Sequence, residues 1–385
     1  MSDPEQTCVF AGVDGRTDTE LPQWFAQRVE RDEVVSFAEA IRSLPQATQT
    51  TVAYRNPYTE EWVSTERFNA VVEPGRLREQ GGEESQADPL FHVPTDSYSI
   101  INPIDVYGPL EEVLREATID DTVLGEVAFG EIRQYRGGGE VHMDLMFDGL
   151  SVELPERDSP ITMGVTSGYD FFGGHAVYVE GFARDTRCAN SIRQLTDRET
   201  VKHVGDVGDF EGWWEERLSQ LGLVADDLLA FIEDAGEITV TFTDVPFDVT
   251  EFYELLEFPS YLAAQAASDA RSNAADPFEI DMWTLHSGAT YALTHVFRGK
   301  EGSSLDGYVR TANDILFNPE ATVECVEQTY EQRAEAETGR EGQTGIASQA
   351  ALAQIERVSQ DVRAKADQFE EREAALRERF AQVGE

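Results

Sequence analysis

Acidic side chains are spread along this whole chain, and they restrict how it can fold. The 385 residues include 74 Asp and Glu against 30 Lys and Arg, which gives a formal net charge of −44. In dilute salt such a charge repels itself and opposes the compact state. In multimolar salt the Debye length is about 3 Å or less, so the repulsion is screened. We therefore expect a chain that stays folded and dispersed in concentrated salt.

The basic residues support the same expectation. Only Lys202, Lys300 and Lys365 are lysines, and the remaining basic residues are arginines, whose guanidinium is more weakly hydrated. This composition is typical of proteins from salt-accumulating organisms. The alternative is an acidic nucleic-acid mimic or an acidic-tailed protein of an ordinary cell, which the even spread of the acids disfavours. Hydrophobic residues make up 41% of the chain, enough for a core.

Targeting signals and cysteines predict a cytoplasmic location. The first ten residues contain no basic and apolar signal-peptide regions, and no run of about 18 apolar residues suggests a membrane span. Cys8, Cys188 and Cys325 are too few and too scattered for a disulfide framework or a zinc site.

The pattern of strands and helices predicts an α+β fold. A central antiparallel β-meander packed with helices is followed by a helical region and a long C-terminal helix. The predicted segments are an N-terminal α+β segment 1–90, a core domain 91–334 (strand-rich 91–205, mainly helical 206–334), a linker 335–345, and a C-terminal amphipathic or coiled-coil helix 346–385.

Local signals place the main elements. Asn102-Pro103 fits a helix start, so we predict a helix over 103–116, and a helix is also expected to begin near 189–191. Strands are predicted over 126–135, 141–147, 161–169 and 175–182, with Gly137-Gly138-Gly139 as a hairpin turn. Further strands flank residues 56–59, and a helix with a central patch of small residues is expected over 281–297.

In the C-terminal segment, apolar residues that include Ile355, Val358 and Val362 recur with a seven-residue period and form an apolar seam along a helix. Such a seam predicts a helix that associates with another helix, in a second copy, in a protein partner or in the chain's own body. A charged, solvated helix without a partner is the alternative.

Motifs of catalysis and cofactor binding are absent from the sequence. It contains no phosphate-binding loop, no nucleophile elbow and no zinc-protease or zinc-deaminase signature. We therefore predict no cofactor, no metal site and no enzymatic activity. Cys188 with His203 is the one thiol–imidazole pair that an enzymatic hypothesis would test.

One segment departs from the overall acidity. Residues 181–205 contain five basic and three acidic residues and follow strands rich in aromatic residues. Cations for phosphates beside rings for base stacking are typical of single-stranded nucleic-acid surfaces. The alternative is that these arginines pair with acids and the rings fill the core. The predicted nucleic-acid-binding residues are Arg184, Arg187, Arg193, Arg198, Lys202 and Tyr178.

The run 166–203 resembles an uncharacterised phage- and plasmid-like protein family, known as a domain of unknown function. The family has an Arg-x-x-Cys-x-Asn-like signature, which matches Arg187, Cys188 and Asn190; the spacing from Arg184 to Cys188 differs from that of the family. A later basic-His element of the family matches Lys202-His203. Residues 97–103 resemble the segment that opens the family domain, and 283–294 its late helix. The resemblance covers about residues 91–317. It implies a mobile-element protein of a halophilic archaeon and carries no known activity.

Two functions from different classes follow. The first is binding or annealing of single-stranded DNA in the replication or recombination of a virus or plasmid. The alternative is a non-enzymatic structural, assembly or partner-binding protein that self-associates or binds a protein through 346–385. A DNA-binding protein in high salt faces weakened phosphate contacts, so stacking and bidentate arginine contacts must carry the affinity.

Overall fold

The computed structural model describes residues 4–15, 21–26, 29, 34–79, 88–119, 122–152, 161–185, 191–192, 199–201, 209–298, 303–338 and 349–366. The fold is α+β, as predicted, with a central sheet of mostly antiparallel strands followed by helices. The chain divides into two compact units. We call residues 2–187 with 194–225 the N-terminal unit, and 188–193 with 226–385 the C-terminal unit.

The elements follow one another along the chain. Up to residue 127 they are β1 Gln6–Ala11, α1 Gln23–Ala26, β2 Val34–Val35, α2 Phe37–Arg42, β3 Thr48–Arg55, β4 Trp62–Val72, α3 Pro74–Glu79, β5 Leu90–His92, α4 Pro103–Glu116, β6 Thr118–Ile119, β7 Thr122–Val123 and α5 Leu124–Val127. The sheet-forming part then contains β8 Ala128–Tyr135, β9 Glu140–Val152, β10 Ile161–Asp170, β11 Val177–Asp185, β12 Ser191–Ile192 and β13 Glu199–Val201.

Helices dominate the rest of the chain. They are α6 Phe210–Glu237, α7 Val249–Leu255, α8 Ser260–Asn273, α9 Met282–His295, α10 Ser303–Phe317, α11 Pro319–Thr338 and α12, residues 349–366; two short strands, β14 Thr239–Thr241 and β15 Glu279–Asp281, pair with each other. The boundary between the two units falls within α6.

The large sheet of the N-terminal unit has the order β11-β10-β9-β8-β1-β2, and β13 also pairs with β11. All these pairs are antiparallel except β1 with β2, which is parallel. The four-stranded meander predicted from the sequence is β8 to β11, and the predicted turn at Gly137–Gly139 joins β8 to β9.

Helix α4 covers the apolar face of this sheet. It begins as predicted, with Pro103 in its first turn and the Asp105 carboxylate accepting a hydrogen bond from the Asn102 backbone N–H at 3.1 Å. The hydroxyl of its buried Tyr107 lies 3.3 Å from the Ser167 hydroxyl of β10. Trp214 of α6 donates its indole N–H to the Val106 carbonyl at 2.7 Å, so α6 is anchored to α4.

Close helix packing organises the C-terminal unit. The predicted small-residue patch of α9 faces α8, because a Cβ at Gly288 would lie 2.5 Å from the carbonyl oxygen of Ala266. Tyr253 of α7 donates its hydroxyl to the Leu285 carbonyl at 2.6 Å. Larger residues at Gly288 would force the two helices apart.

Helix α12 packs on its own unit. Its Ile355 and Val362 are each 2% exposed, the Arg363 guanidinium lies 3.1 Å from the Glu327 carboxylate, and Lys365 donates to the Glu237 carbonyl at 2.9 Å. The seam seen in the sequence is therefore covered by the chain's own body over residues 349–366. Association with a partner through 367–385 stays a prediction, because those residues lie outside the described part.

One further sequence prediction has a clear outcome. Ser191–Ile192 form a strand, so the helix expected to begin near 189–191 was wrong for these two residues. Within the part of the chain that the structure describes, no helix combines the length and the apolarity that crossing a membrane requires.

Candidate metal centre

Polar side chains gather where the meander strands meet the β8–β9 and β10–β11 turns. The register places Tyr135 opposite Glu140, Glu140 opposite Asp170, and His142 opposite Gly168. Gly168 in turn lies opposite Tyr178 of β11. Residues directly opposite each other point to the same face of a sheet, so these side chains share one face at one end of it.

Three of the residues at this end form a group with metal-ligand chemistry. Glu140, His142 and His175 each offer one ligand atom, and these atoms all lie within 4.8 Å of one another. The tightest pair is His142 Nε2 and Glu140 Oε1 at 3.3 Å. The His142 side chain is only 12% exposed. Two imidazoles and one carboxylate form a ligand set used by zinc and by non-haem iron.

Hydrogen bonds fix both imidazoles through the same ring atom. His142 Nδ1 lies 2.9 Å from the Tyr178 hydroxyl, and His175 Nδ1 donates to the Ala176 carbonyl at 2.9 Å. His175 Nε2 is buried and has no hydrogen-bond partner in the described part of the chain. A buried nitrogen lone pair without a partner is costly unless a cation or a proton donor occupies the space beside it.

A glycine makes the contact between Tyr178 and His142 possible. Gly168 lies on β10 between the two residues, and a Cβ there would come within 2.9 Å of the Tyr178 ring and 3.2 Å of its hydroxyl. The same Cβ would lie 2.5 Å from the Val141 carbonyl oxygen. The absence of a side chain at Gly168 therefore lets the phenol reach across the middle strand.

The loop after β10 positions His175. The Asp170 carboxylate, 3% exposed, accepts hydrogen bonds from the backbone N–H groups of Phe172 at 2.7 Å and Gly174 at 2.9 Å. Gly173 between them has φ +78°, a conformation that glycine adopts without strain. The loop thus returns tightly to β11 and holds His175 beside β9.

Arg136 lies at the rim of the group. The backbone of Arg136 has φ +53°, which is unusual for a residue other than glycine. Such backbone strain is often found at functional sites. Its guanidinium carbon lies 3.3 Å from the centre of the Phe172 ring, and Nη1 lies 3.4 Å from the Glu140 carboxylate. The hydrogen bond from His142 lowers the pKa of Glu140, and Arg136 lowers it further, against the opposing effect of burial.

The structure describes two of the predicted nucleic-acid-binding residues. Arg184 lies near the end of β11, and its guanidinium is 3.0 Å from the buried Asp144 carboxylate. Tyr178 is 8% exposed and is held by His142. The other predicted residues, including the family-signature positions, lie outside the described residues: Arg187, Cys188, Asn190, Arg193, Arg198, Lys202 and His203.

Three aromatic residues that precede the basic segment in the chain are inaccessible. Tyr169 and Phe171 are at most 1% exposed, so they are core residues, like Tyr178. The arrangement at Arg184 also follows the alternative considered for the sequence, since this arginine pairs with an acid. Nucleic-acid binding through the remaining basic residues stays a prediction.

Sequence reasoning missed the Glu140–His142–His175 group. The ligands come from two strands and an intervening loop, so no short motif contains all three. A weaker signal was present: Glu140-x-His142 at the start of a strand places both side chains on one face. His175 follows a second glycine turn, so it had to return to the same end of the sheet.

Comparison of the chain with models of protein families, with curated proteins and with solved structures finds no match in any of the three.

Proposed function

We propose that the N-terminal unit binds a divalent transition-metal ion, such as Zn²⁺, through Glu140, His142 and His175. The observation that carries the proposal is the buried, unpartnered Nε2 of His175 beside the carboxylate–imidazole pair of Glu140 and His142. A metal ion accepts lone pairs from all three side chains at once.

The distances suit such an ion. Ligand atoms about 2.1 Å from a tetrahedral metal lie about 3.4 Å apart, close to the 3.3 Å between His142 and Glu140. The remaining separations of up to 4.8 Å require small side-chain rotations, which the partly exposed Glu140 and His175 can make. Tyr178 and the Ala176 carbonyl are the outer partners that orient metal-binding imidazoles.

The group without metal has a consistent description too. A proton on His142 Nε2 can be donated to Glu140, while Tyr178 donates its hydroxyl to Nδ1. This hydrogen-bonded pair accounts for Glu140 and His142 but leaves His175 Nε2 without a partner in the described part of the chain. When a metal ion binds His142 Nε2, the proton there moves to Nδ1, which then donates to the Tyr178 hydroxyl. Because a protonated imidazole cannot bind a metal ion, we expect the affinity to fall as the pH is lowered.

Three protein ligands leave a position for water or a substrate atom, which is typical of catalytic zinc rather than closed structural zinc. A zinc-bound water is acidic enough to supply hydroxide near neutral pH. The Arg136 guanidinium at the rim is suited to a carboxylate or phosphate group. Hydrolysis of an anionic substrate is the chemistry that this arrangement supports.

Calorimetric titration of the intact, chelator-treated protein with Zn²⁺ in multimolar KCl tests the proposal. We expect one ion per chain, and at least a hundredfold weaker binding in His175→Ala. His295→Ala is the control, because His295 is an exposed histidine of the C-terminal unit. With Co²⁺ as a probe, visible absorption bands should report tetrahedral coordination. Absence of binding, or equal binding by both variants, would refute the site.

The sequence-based function remains a second proposal: binding or annealing of single-stranded DNA by a mobile-element protein of a halophilic archaeon. The excess of basic residues within 181–205 supports it. Arg187→Ala with Arg193→Ala should abolish the fluorescence-anisotropy change of a labelled single strand in multimolar KCl. Unchanged binding by this double variant would count against the basic segment. These residues differ from the metal ligands, so the two proposals fail separately.

The assembly alternative also stays open to test. Removing 346–385 should lower the oligomeric mass if this segment joins chains. Because α12 packs on its own unit, a loss of stability is expected in either case, so thermal unfolding must be measured alongside the mass.

A further inference from the structure

The hairpin of β3 and β4 is exposed along most of its length. Seven of the eight residues of β3 are exposed, and Val52 is half-buried. On β4, residues 62–64 are exposed as well. The hairpin therefore leaves both of its faces open to solvent at the end near its turn, unlike the other long strands of the N-terminal unit.

Strand β3 carries no charge before Arg55, although the chain as a whole is very acidic. From Ser43 to Tyr54 there is no charged residue, although 27% of the whole chain is charged. Large apolar side chains are exposed nearby: Tyr54 at 54%, Tyr58 at 94% and Trp62 at 72%. A protein surface that combines apolar side chains with missing charge is typical of an interface.

β3 also forms the edge of its sheet, which has the order β3-β4-β5. Asn69 of β4 lies opposite Thr51, but its backbone N–H is donated to the Pro94 carbonyl, on the side of β4 away from β3. Thr51 and Asn69 are therefore not a hydrogen-bonded pair of the antiparallel ladder. Asn56 donates to Glu61 across the turn, which directs the N–H groups of Tyr54 and Val52 towards β4. The alternate residues Thr51, Ala53 and Arg55 consequently direct their backbone groups to the outer edge.

Such an edge is rarely left open. Natural proteins protect long edge strands with charges, prolines or inward bulges, because unpaired backbone groups recruit another strand. β3 has neither proline nor charge before Arg55. The one irregularity in its pairing with β4 places the extra residues, 66–68, on β4 and not on β3.

We propose that β3 pairs with β3 of a second copy of this chain, antiparallel, about a two-fold axis at Val52. The outward-facing residues then meet as Thr51 with Ala53 and Gln49 with Arg55. On one face Val52 meets Val52 of the second copy, and Thr50 meets Tyr54. These β-branched and aromatic pairs stabilise antiparallel strands, and no like charges lie opposite each other.

The distribution of charge fits a second copy as the occupant. Two molecules that each carry a formal charge of −44 repel each other wherever acidic surfaces meet. The uncharged edge allows close approach without opposing carboxylates. Screening of the remaining charge favours the pair, so dimerisation should strengthen as KCl rises from dilute to multimolar concentration.

Cysteine cross-linking of the full chain tests the register. In the proposed pair the Cα atoms of Val52 and its copy are about 4.5 Å apart, within the range that a disulfide spans. Val52→Cys should cross-link into a dimer under mild oxidation. Thr50→Cys is the matched control, because Thr50 lies on the same face about 14 Å from its own copy. The native cysteines are monitored by oxidising the wild-type chain in parallel.

Light scattering supplies the second measurement. The wild-type chain should have the mass of a dimer in multimolar KCl. Ala53→Pro should be a monomer, because it removes an outward N–H and leaves the ladder to β4 intact. A monomeric wild type, or equal cross-linking of the two cysteine variants, overturns the proposal. A dimer that persists in a folded Ala53→Pro does so as well.

Discussion

The β3–β4 hairpin and the β8–β11 meander are both antiparallel, yet they distribute charge in opposite ways. β3 is almost fully exposed and uncharged up to Arg55, whereas nine of the ten residues of β10 are buried. Beside β10, the buried Asp144 of β9 is paired with two arginines, Arg133 of β8 and Arg184 of β11. In most proteins the exposed strands carry charged residues and the buried strands do not.

In this molecule, therefore, the burial of a strand and the charge of its residues report different properties. The general surface is acidic, so an uncharged exposed strand indicates contact with something else. A charged residue kept inside the sheet must be paired, which fixes the neighbouring strands in one register. Both exceptions therefore point to interactions: one between chains, the other within the sheet.

Loss of a buried ion pair should destabilise the protein more than loss of an exposed one. Asp144→Ala should lower the free energy of unfolding by about 3–5 kcal/mol, because it leaves two mostly buried guanidinium groups without their shared carboxylate. Glu60→Ala removes the partner of Arg55 in the hairpin, where the two side chains are 77% and 59% exposed, and should cost at most about 1 kcal/mol. Denaturant unfolding in constant high salt measures both. Equal losses would contradict the contrast between the two regions.

A smaller effect is expected at the outer shell of the metal group. Tyr178→Phe removes the hydroxyl that orients His142 and should weaken Zn²⁺ binding about tenfold or more. Tyr54→Phe makes the same chemical change on the exposed hairpin and should leave Zn²⁺ binding unchanged. Calorimetry provides the affinities, and thermal unfolding checks that both variants are folded. If the two variants bind Zn²⁺ alike, Tyr178 is not a positioning residue.

The smallest effect concerns acid stability. The pKa of Glu140 is lowered in the folded state, chiefly by the hydrogen bond from His142. Its carboxylate therefore stabilises the fold at neutral pH, and this contribution is lost as the pH falls through the lowered pKa. Without metal, wild type should lose more stability than Glu140→Gln between pH 7 and pH 3. If the stability of the two proteins falls in parallel with pH, the Glu140 carboxylate does not make this contribution.

Local signals in the sequence predicted the elements well. The Asn102-Pro103 start defines α4, and the glycine turn at 137–139 separates β8 from β9, because both depend on neighbours in the chain. The pairings that place β1 between β2 and β8 depend on contacts far apart in sequence, and no local pattern contains them.

The candidate site was largely beyond sequence reasoning. Arginines next to aromatic residues suggested a nucleic-acid surface, but the sequence could not show that Arg184 meets Asp144, 40 residues away. Glu140 and His142 can be placed on one face from their spacing alone. Their meeting with His175 and Tyr178 depends on the register of three strands and on the gap at Gly168.

The place of β1 has a consequence for how the protein is made. Residues 6–11 of β1 leave the ribosome well before their antiparallel partner β8, whose paired residues are 129–134. At about 5–20 residues per second, roughly 10 s pass before that partner is synthesised. During this time β1 has no antiparallel partner, so the nascent chain depends on whatever keeps this short apolar strand from pairing elsewhere.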